Sequence, residues 1–225
     1  MIINEKKFVD FGGEGKEVVT VERRQTIEMH LFKLAVVNAV EAGKDRNRTS
    51  YSHLVNELEN SIVSIITCYT SLEGLANSIG LEFYGNHPDE ERQRKWWEGV
   101  DGSNPMIELP ILSKFNNLLR EICKDNPKIQ GLRSLPKELQ KKIDYMTVVR
   151  NSLIHYRAEF YNQAETKKLS NDLVLTPEFE TYKYETTIEF LKTYKEVVDE
   201  INKYSRKGDY GKFVDQILDE YGLAI

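Results

Sequence analysis

The sequence predicts an all-α protein, an antiparallel helical bundle with a short N-terminal extended arm or hairpin. Apolar residues recur at three- and four-residue spacing through most of the chain, which is the period of an amphipathic helix. Short polar stretches with glycine or proline separate these segments. Long helices joined by short polar connections pack as antiparallel bundles. We therefore assign residues 1–24 to the arm and residues 25–225 to one helical domain.

The N-terminal segment has a different pattern from the rest of the chain. Two runs rich in β-branched or aromatic residues, 8–11 and 17–21, flank the glycine-rich segment 12–15. Such runs on either side of a glycine turn indicate a hairpin or an extended arm. Because an isolated hairpin is only marginally stable in water, the arm should dock on the bundle or on a partner.

The first two helices are separated by a polar linker. The first is predicted over residues 26–42, with Gly43 as its C-terminal stop. Residues 44–50 form the linker, and either Ser50 or Ser52 can cap the helix that follows. This second helix has the longest regular pattern in the chain. Its core stripe comprises Leu54, Leu58, Ile62, Ile65, Tyr69, Leu72, Ala76 and Ile79.

The middle of the chain is predicted to contain an inserted segment, residues 84–107, and a further helix over residues 108–124. The insertion holds a short charged helix that ends in Trp96 and Trp97. Adjacent helical residues point in different directions, so one tryptophan should be packed and the other partly exposed. The stripe of the further helix comprises Leu109, Leu112, Phe115, Leu119 and Ile122.

The C-terminal part contains three more predicted helices. The one that carries the motif described below begins at Pro136, where proline is tolerated, and runs to about residue 163. A polar loop, 165–179, contains one β-like run at 173–175. A long helix follows over residues 180–205, and a short helix over residues 210–221 closes the chain.

Composition and cysteine usage indicate a soluble cytoplasmic protein. Hydrophobic residues make up 40% and charged residues 30% of the chain, which suits a globular core. No segment is expected to reach the length of apolar sequence that a membrane span needs, so no membrane association is predicted. The isolated Cys68 and Cys123 are typical of reduced, buried thiols. The scattered histidines lack zinc-ligand spacing, and no phosphate-binding glycine loop is present.

The motif helix carries polar groups away from its apolar stripe. The stripe should face the core and comprises Met146, Val149, Leu153, Tyr156 and Phe160. Arg150 lies at its border, whereas Asn151 and, one turn later, His155 lie on the opposite face. Arginine can hold a phosphate at any physiological pH, and histidine can exchange a proton near neutral pH. Together in a cleft, such groups can cleave a phosphodiester without a metal or cofactor, and none is expected. They could equally be ordinary surface residues.

The sequence Arg150-Asn151 followed by His155, late in a helical bundle, resembles the Arg-x4-6-His signature of the HEPN superfamily. Many members of that superfamily are ribonucleases. The segment from Tyr69 to Asn77 is similar to the small-residue and Glu/Asn-containing part of the second long helix in many such proteins. The architectural resemblance covers roughly residues 51–205.

The resemblance implies roles for individual residues. Arg150, Asn151 and His155 would be catalytic, and Arg157 and Ser152 would contact the substrate. Glu73 and Asn77 would orient the catalytic side chains by hydrogen bonds; the alternative is that these two residues simply face solvent.

The predicted function is that of a metal-independent endoribonuclease that cleaves RNA by 2′-hydroxyl transesterification. The resemblance implies a homodimer with facing motif helices, a toxin–antitoxin or phage-defence setting, and a protein partner such as an antitoxin. The net charge of −5 is unusual for a protein that binds nucleic acid, so positive charge must be local. Candidate basic patches are Lys141-Lys142 with Arg150 and Arg157, Lys167-Lys168, and Arg46 with Arg48.

Two other interpretations stay open from the sequence alone. The first is a non-catalytic HEPN-like helical module that binds a nucleotide or a protein through its acidic surface, its arm and its tryptophan pair. The second is an unrelated all-α protein in which the arginine, asparagine and histidine coincide by chance. The non-catalytic module should keep Arg150 and His155 apart or bury them in unrelated salt bridges.

Overall fold

The computed structural model describes residues 3–8, 18–23, 27–86, 88–100, 102–124, 134–154, 167–169, 173–175, 181–203 and 210–225. In this part of the chain, seven α-helices pack together, which confirms the predicted all-α bundle. They are α1 (Ile27–Asp45), α2 (Tyr51–Gly80), α3 (Glu90–Trp97), α4 (Ile111–Lys124), α5 (Lys137–Ile154), α6 (Tyr184–Asn202) and α7 (Tyr210–Glu220). A π-helical turn, Leu81–Gly85, extends α2, and a 3-10 turn, Met106–Glu108, precedes α4.

Two short antiparallel strand pairs accompany the helices. Strands β1 (Ile3–Phe8) and β2 (Val18–Arg23) pair so that Phe8 lies opposite Val18. Strands β3 (Lys167–Leu169) and β4 (Leu173–Leu175) form the second pair. The sequence indicated only the second of these two strands, because a Lys-Lys-Leu run has neither β-branched residues nor apolar alternation.

Helices α1 and α2 form a closely packed antiparallel pair. The Ser64 hydroxyl donates to the Ala35 carbonyl at 2.7 Å, and the Ser71 hydroxyl donates to the Glu28 carbonyl at 2.6 Å. Later residues of α2 therefore meet earlier residues of α1. The small side chains allow the two backbones to approach, and each hydroxyl has the hydrogen bond that a buried polar group requires.

Helix α2 contacts α1, α4, α5 and α6. The C-terminal part of its predicted stripe is fully in the core, whereas Leu54, Leu58 and Ile62 are only partly buried. Helices α1 and α7 pack against α6. Phe32 of α1 stacks on Tyr194 of α6 with 4.3 Å between ring centroids.

The end of α1 differs from the prediction. Gly43 does not stop the helix, which continues to Asp45. A Cβ atom at position 43 would lie 2.9 Å from Cε2 of Tyr184. The glycine is therefore explained by close packing against the start of α6 and not by a helix end. Ser50 is the N-cap residue of α2, but its side chain makes no capping hydrogen bond.

The stripe predicted for α4 is confirmed in part, because Phe115 and Leu119 are buried. Leu109 and Leu112 are only partly buried, whereas Ile111 and Leu118 are in the core. The reason is the position of the helix start. Leu109 has an extended backbone after the 3-10 turn, and α4 begins at Ile111. The stripe counted from Leu109 therefore missed Ile111 and Leu118.

The inserted segment is anchored by one tryptophan. Trp96 is buried, whereas Trp97 is 49% exposed, which confirms that the two side chains have different environments. Trp96 stacks on Tyr84 of the π-helical turn, with 6.1 Å between ring centroids. Gly80 makes room for it, since a Cβ atom there would lie 2.0 Å from Cη2 of Trp96.

One helix in the described part of the chain has the length and composition of a membrane span. It comprises residues 51–85, and half of its most apolar window is buried in the bundle. By this measure, the prediction that no segment is long and apolar enough for a membrane span was wrong. The serine, threonine and glycine residues of this helix lower its mean hydropathy only a little. The core helix of a bundle passes the same test, so the observation is weak evidence for a span.

A carboxylate of α2 caps the beginning of α6. The Glu57 carboxylate accepts a hydrogen bond from the Tyr184 backbone N–H at 3.2 Å. Lys183, the N-cap residue of α6, makes no side-chain cap, so Glu57 satisfies one of the unpaired N–H groups at this helix end. Burial raises the pKa of Glu57 above its ordinary value of 4.5, while the Tyr184 N–H opposes this shift and Glu185 adds to it.

Two substitutions of Glu57 should distinguish the effect of its capping hydrogen bond from the effect of its charge. Glu57→Ala removes the acceptor and should cost about 1 kcal/mol of unfolding free energy. Glu57→Gln keeps an acceptor but does not titrate. The raised pKa means that the folded protein binds a proton at Glu57 more tightly than the unfolded chain does. The unfolding free energy of the native protein, relative to that of Glu57→Gln, should therefore fall as the pH rises from about 4 to about 7. Urea unfolding at both pH values measures this difference. A constant difference would contradict the raised pKa.

Candidate functional site

Arg150 lies where α5 meets α2. Met146 and Val149 are buried and Leu153 is partly buried, so α5 presents the predicted stripe to the core over its described length. Arg150 is at the border of that stripe and is partly buried. Its guanidinium carbon lies 5.4 Å from the centroid of the Tyr69 ring. This is a cation–π contact, in which the face of the ring attracts the charge.

Asn151 also contacts the guanidinium group. Its Oδ1 accepts a hydrogen bond from Arg150 Nη1 at 3.0 Å. Among the described residues, no carboxylate forms an ion pair with Arg150. Its Nε atom is buried and has no hydrogen-bond acceptor within this part of the chain. Within the described residues, Arg150 thus has fixed neighbours and no carboxylate partner, which suits the binding of an anion.

Tyr69 makes a second contact with α5 through its hydroxyl group. Its hydroxyl lies 3.2 Å from Thr147 Oγ1. The Thr147 hydroxyl already donates to the Ile143 carbonyl at 2.9 Å, so the Tyr69 hydroxyl is the donor to Thr147. Burial raises the pKa of Tyr69; Thr147 and Arg150 oppose that shift, and the nearby Glu73 adds to it. The phenol is therefore a neutral support for the arginine at physiological pH.

Asn77 binds a buried lysine that the sequence analysis missed. Lys114 of α4 is only 2% exposed, and its Nζ donates to Asn77 Oδ1 at 2.8 Å. Burial lowers the pKa of Lys114, and the carboxylate of Glu73 partly offsets that shift. Glu73 and Asn77 are one turn apart on α2. Among the described residues, the polar side-chain contact of Asn77 is thus with Lys114.

The sequence contained a signal for this lysine. Ile111, Lys114, Phe115 and Leu118 are at three- and four-residue spacing, and lysine occupies a core position among apolar residues. A lysine is almost never fully buried unless it is paired. The incorrect helix start placed Lys114 outside the predicted stripe, which concealed the pattern.

The other predicted substrate contact, Ser152, has partners within the bundle. Its Oγ donates to the Val149 carbonyl at 2.7 Å and lies 2.7 Å from the Tyr182 hydroxyl. Tyr182 comes just before α6, whereas Arg150 lies on Tyr69 of α2. The two side chains therefore contact different parts of the protein. Val148, on the outer face of α5, is 66% exposed.

His155 and Arg157 lie outside the described residues. Of the proposed catalytic trio, the structure brings together Arg150 and Asn151. The neighbouring lysines of α5 are neutralised: Lys141 pairs with Glu138 at 2.8 Å, and Lys142 pairs with Glu196 at 2.5 Å. These two lysines therefore add little to a basic patch around Arg150.

The candidate patch on the linker between α1 and α2 is neutralised in the same way. Arg46 pairs with Glu185 at 3.0 Å, and Arg48 lies 3.7 Å from Asp45. Lys167 and Lys168 belong to β3, for which the structure describes only the backbone. Arg150 remains the arginine of the predicted patches that has no carboxylate partner in the described part of the chain.

The described residues contain no group of three or more histidine, cysteine, aspartate or glutamate side chains that could hold a metal ion. Comparison of the chain with protein-family models, with curated protein sequences and with solved structures finds no match. The HEPN resemblance, which depends on Arg150, Asn151 and His155, stays a prediction.

Two substitutions at Tyr69 should distinguish its ring from its hydroxyl. Tyr69→Phe keeps the surface beneath Arg150 and loses the hydrogen bond to Thr147, which should cost about 1 kcal/mol of unfolding free energy. Tyr69→Leu removes the ring as well, so Arg150 should become mobile. Nitrogen relaxation of the Arg150 Nε–H group measures that motion. Equal mobility in both variants would contradict the role of the ring.

Proposed function

We propose that this protein is a metal-independent endoribonuclease whose phosphate-binding group is Arg150. The observation that supports the proposal most directly is the state of this side chain. It is held by Tyr69 and Asn151, and within the described residues it has no carboxylate to neutralise it. A guanidinium group fixed in this way can bind a phosphodiester without first breaking an ion pair.

The proposed reaction is transesterification within the RNA strand. The ribose 2′-oxygen attacks the adjacent phosphorus, the bond from phosphorus to the 5′-oxygen breaks, and a 2′,3′-cyclic phosphate forms. One proton leaves the 2′-hydroxyl and one is delivered to the 5′-oxygen. His155 carries one of these transfers, since an imidazole is suited to both near neutral pH. Arg150 stabilises the negative charge that develops on the phosphoryl oxygens.

Asn151 serves as the positioning residue of Arg150 in this proposal. Its amide oxygen orients the guanidinium group, and its amide nitrogen remains a donor for a phosphate oxygen. The local charge is important because the whole chain is acidic, with a net charge of −5. A partly buried arginine is screened less by salt than an exposed one, so it can attract an anion despite the global field.

The proposal includes a cytoplasmic homodimer in which the outer faces of two α5 helices meet near a two-fold axis. Val148 is 66% exposed, and an isologous interface would cover it with its own copy. Two arginines and two histidines would then share one cleft, and one histidine could act as base while the other acts as acid. The family resemblance associates such enzymes with toxin–antitoxin or phage-defence systems and with a protein partner.

The state of Arg150 favours a second candidate function. An arginine that is held in place by neighbours and has no carboxylate partner among the described residues also suits a protein-binding surface, where arginine is one of the residues that make the strongest contacts. In this alternative, α5 would bind a nucleotide or a protein partner without cleavage. The test of cleavage described below separates the two functions.

Substitution of the exposed apolar residue tests the dimer. Val148→Asp places two like charges beside each other at a two-fold axis and should convert a dimer into a monomer. Light scattering at micromolar concentration measures the mass, and Lys141→Asp on the same helix is the control. A native protein that is monomeric, or a Val148→Asp variant that remains dimeric, would contradict the proposed interface.

Cleavage of RNA tests the chemistry. Purified protein should cleave single-stranded RNA in the presence of EDTA and leave a 2′,3′-cyclic phosphate or its hydrolysis product. DNA of the same sequence should be inert, because it lacks the 2′-hydroxyl. His155→Ala should reduce the rate by roughly 10²–10⁴-fold, and Arg150→Ala should reduce it by roughly 10²–10³-fold.

The controls are the melting temperature and the mass of each variant, which should stay close to native values. Arg150→Lys is a useful third variant, because it keeps the charge but loses the planar group that lies over Tyr69. If cleavage is absent for every RNA, or survives both alanine substitutions, the nuclease proposal fails and the binding-module proposal replaces it.

A further inference from the structure

Two hydroxyl side chains of α5 flank the pair formed by Arg150 and Asn151. Thr147 before the pair and Ser152 after it each donate their proton to a carbonyl group of α5 itself, at 2.9 Å and 2.7 Å. A hydroxyl whose proton is engaged in this way can only accept a further hydrogen bond. The donor to Thr147 is the Tyr69 hydroxyl of α2, and the donor to Ser152 is a tyrosine that precedes α6. The helix is therefore held on both sides of the arginine.

The tyrosine that precedes α6, Tyr182, has a fixed position in the bundle. Its hydroxyl lies 2.7 Å from Ser152 Oγ, and its side chain is only 6% exposed. Two residues later, the backbone N–H of Tyr184 donates to the Glu57 carboxylate of α2 at 3.2 Å. The ring of Tyr184 also packs closely against Gly43 of α1. The segment that carries Tyr182 is thus tied to two other helices.

The last described turn of α5 has few other contacts to hold it. Asn151 and Ser152 are exposed and Leu153 is only partly buried, and segments with few buried contacts open readily. Among the described residues, the polar contact of the Asn151 side chain is the hydrogen bond that it accepts from Arg150. Arg150 is held by the Tyr69 ring on α2, whereas Asn151 is held through its own helix. Movement of this turn would therefore carry the Asn151 amide away from the arginine.

We propose that Tyr182 is a positioning residue, which fixes the last described turn of α5 through Ser152. It thereby keeps the Asn151 amide against Arg150, so that the guanidinium group keeps one direction toward the phosphate. This inference rests on the proposed function of Arg150 as an anion-binding group. The Ser152 proton is bound to the Val149 carbonyl, and the Tyr182 proton is bound to Ser152. Ser152 thus acts within the protein and not as the substrate contact that the resemblance implied.

A binding experiment tests the role of this hydroxyl pair. The probe is a short single-stranded RNA with 2′-O-methyl groups, which cannot be cleaved, and fluorescence anisotropy measures its affinity. Tyr182→Phe keeps the buried ring and removes the hydroxyl, so it should weaken binding roughly fivefold, the size of one net hydrogen bond. Ser152→Ala should weaken binding to the same extent. The double variant should bind no more weakly than either single variant, because the two groups act as one unit.

Two further variants separate positioning from a direct contact and from general damage. Ser152→Thr keeps the accepting hydroxyl and should bind the RNA like the native protein. Ser64→Ala is the control for lost stability, because it removes one hydroxyl hydrogen bond between α1 and α2, and it should leave the affinity unchanged. A loss of affinity in Ser152→Ala that Tyr182→Phe does not share would mean that Ser152 contacts the RNA, and it would overturn the inference. Additive losses in the double variant would do the same.

A second measurement does not depend on RNA. Tyr182→Phe and Ser152→Ala should each raise the rate of amide hydrogen exchange at residues 151–154 roughly fivefold. Both should also increase the motion of the Arg150 Nε–H group, which nitrogen relaxation measures. Native exchange rates and native Arg150 motion in both variants would overturn the inference. If exchange and motion increase but the native protein binds no RNA, the proposed function fails and the positioning role of Tyr182 remains.

Discussion

The embedding of α2 in the bundle is the constraint on which the rest of the structure depends. This helix contacts α1, α4, α5 and α6, so its sides must meet very different neighbours. The side toward α1 uses small residues, and Ser64 and Ser71 bond to carbonyl groups of that helix. The side toward α4 and α5 carries Tyr69, Glu73 and Asn77. The candidate site is therefore a consequence of how one long helix satisfies its polar side chains within a helical core.

The chemistry of the site depends on how two cationic side chains are supported against α2. Arg150 lies over the Tyr69 ring, and Lys114 donates a hydrogen bond to Asn77, about two turns further along the same helix. Desolvation makes a buried charge costly. Lys114 is only 2% exposed and has the amide oxygen of Asn77 as its acceptor. Arg150 is instead supported by the Tyr69 ring and Asn151, which fix its position without neutralising it.

Sequence patterns predicted the helices better than their phases and ends. Sequence patterns located all seven described helices, and the period of apolar residues located the long ones, because burial of one face is encoded in local spacing. The predicted end of α1 and the predicted start of α4 were wrong. Gly43 packs closely against the Tyr184 ring, which is distant in the sequence, and the 3-10 turn before Ile111 has no clear sequence signal. The error at α4 concealed Lys114, the buried lysine of that helix.

The sequence by itself determined the all-α class, the border position of Arg150 and its proximity to Asn151, because helical geometry fixes neighbours within one or two turns. Only the tertiary structure decided which charges are free. The ion pairs of Lys142 with Glu196 and of Arg46 with Glu185, like the bond from Lys114 to Asn77, join different helices. Electrostatic compensation depends on distance and burial, and contacts between helices bring together residues that local spacing does not relate.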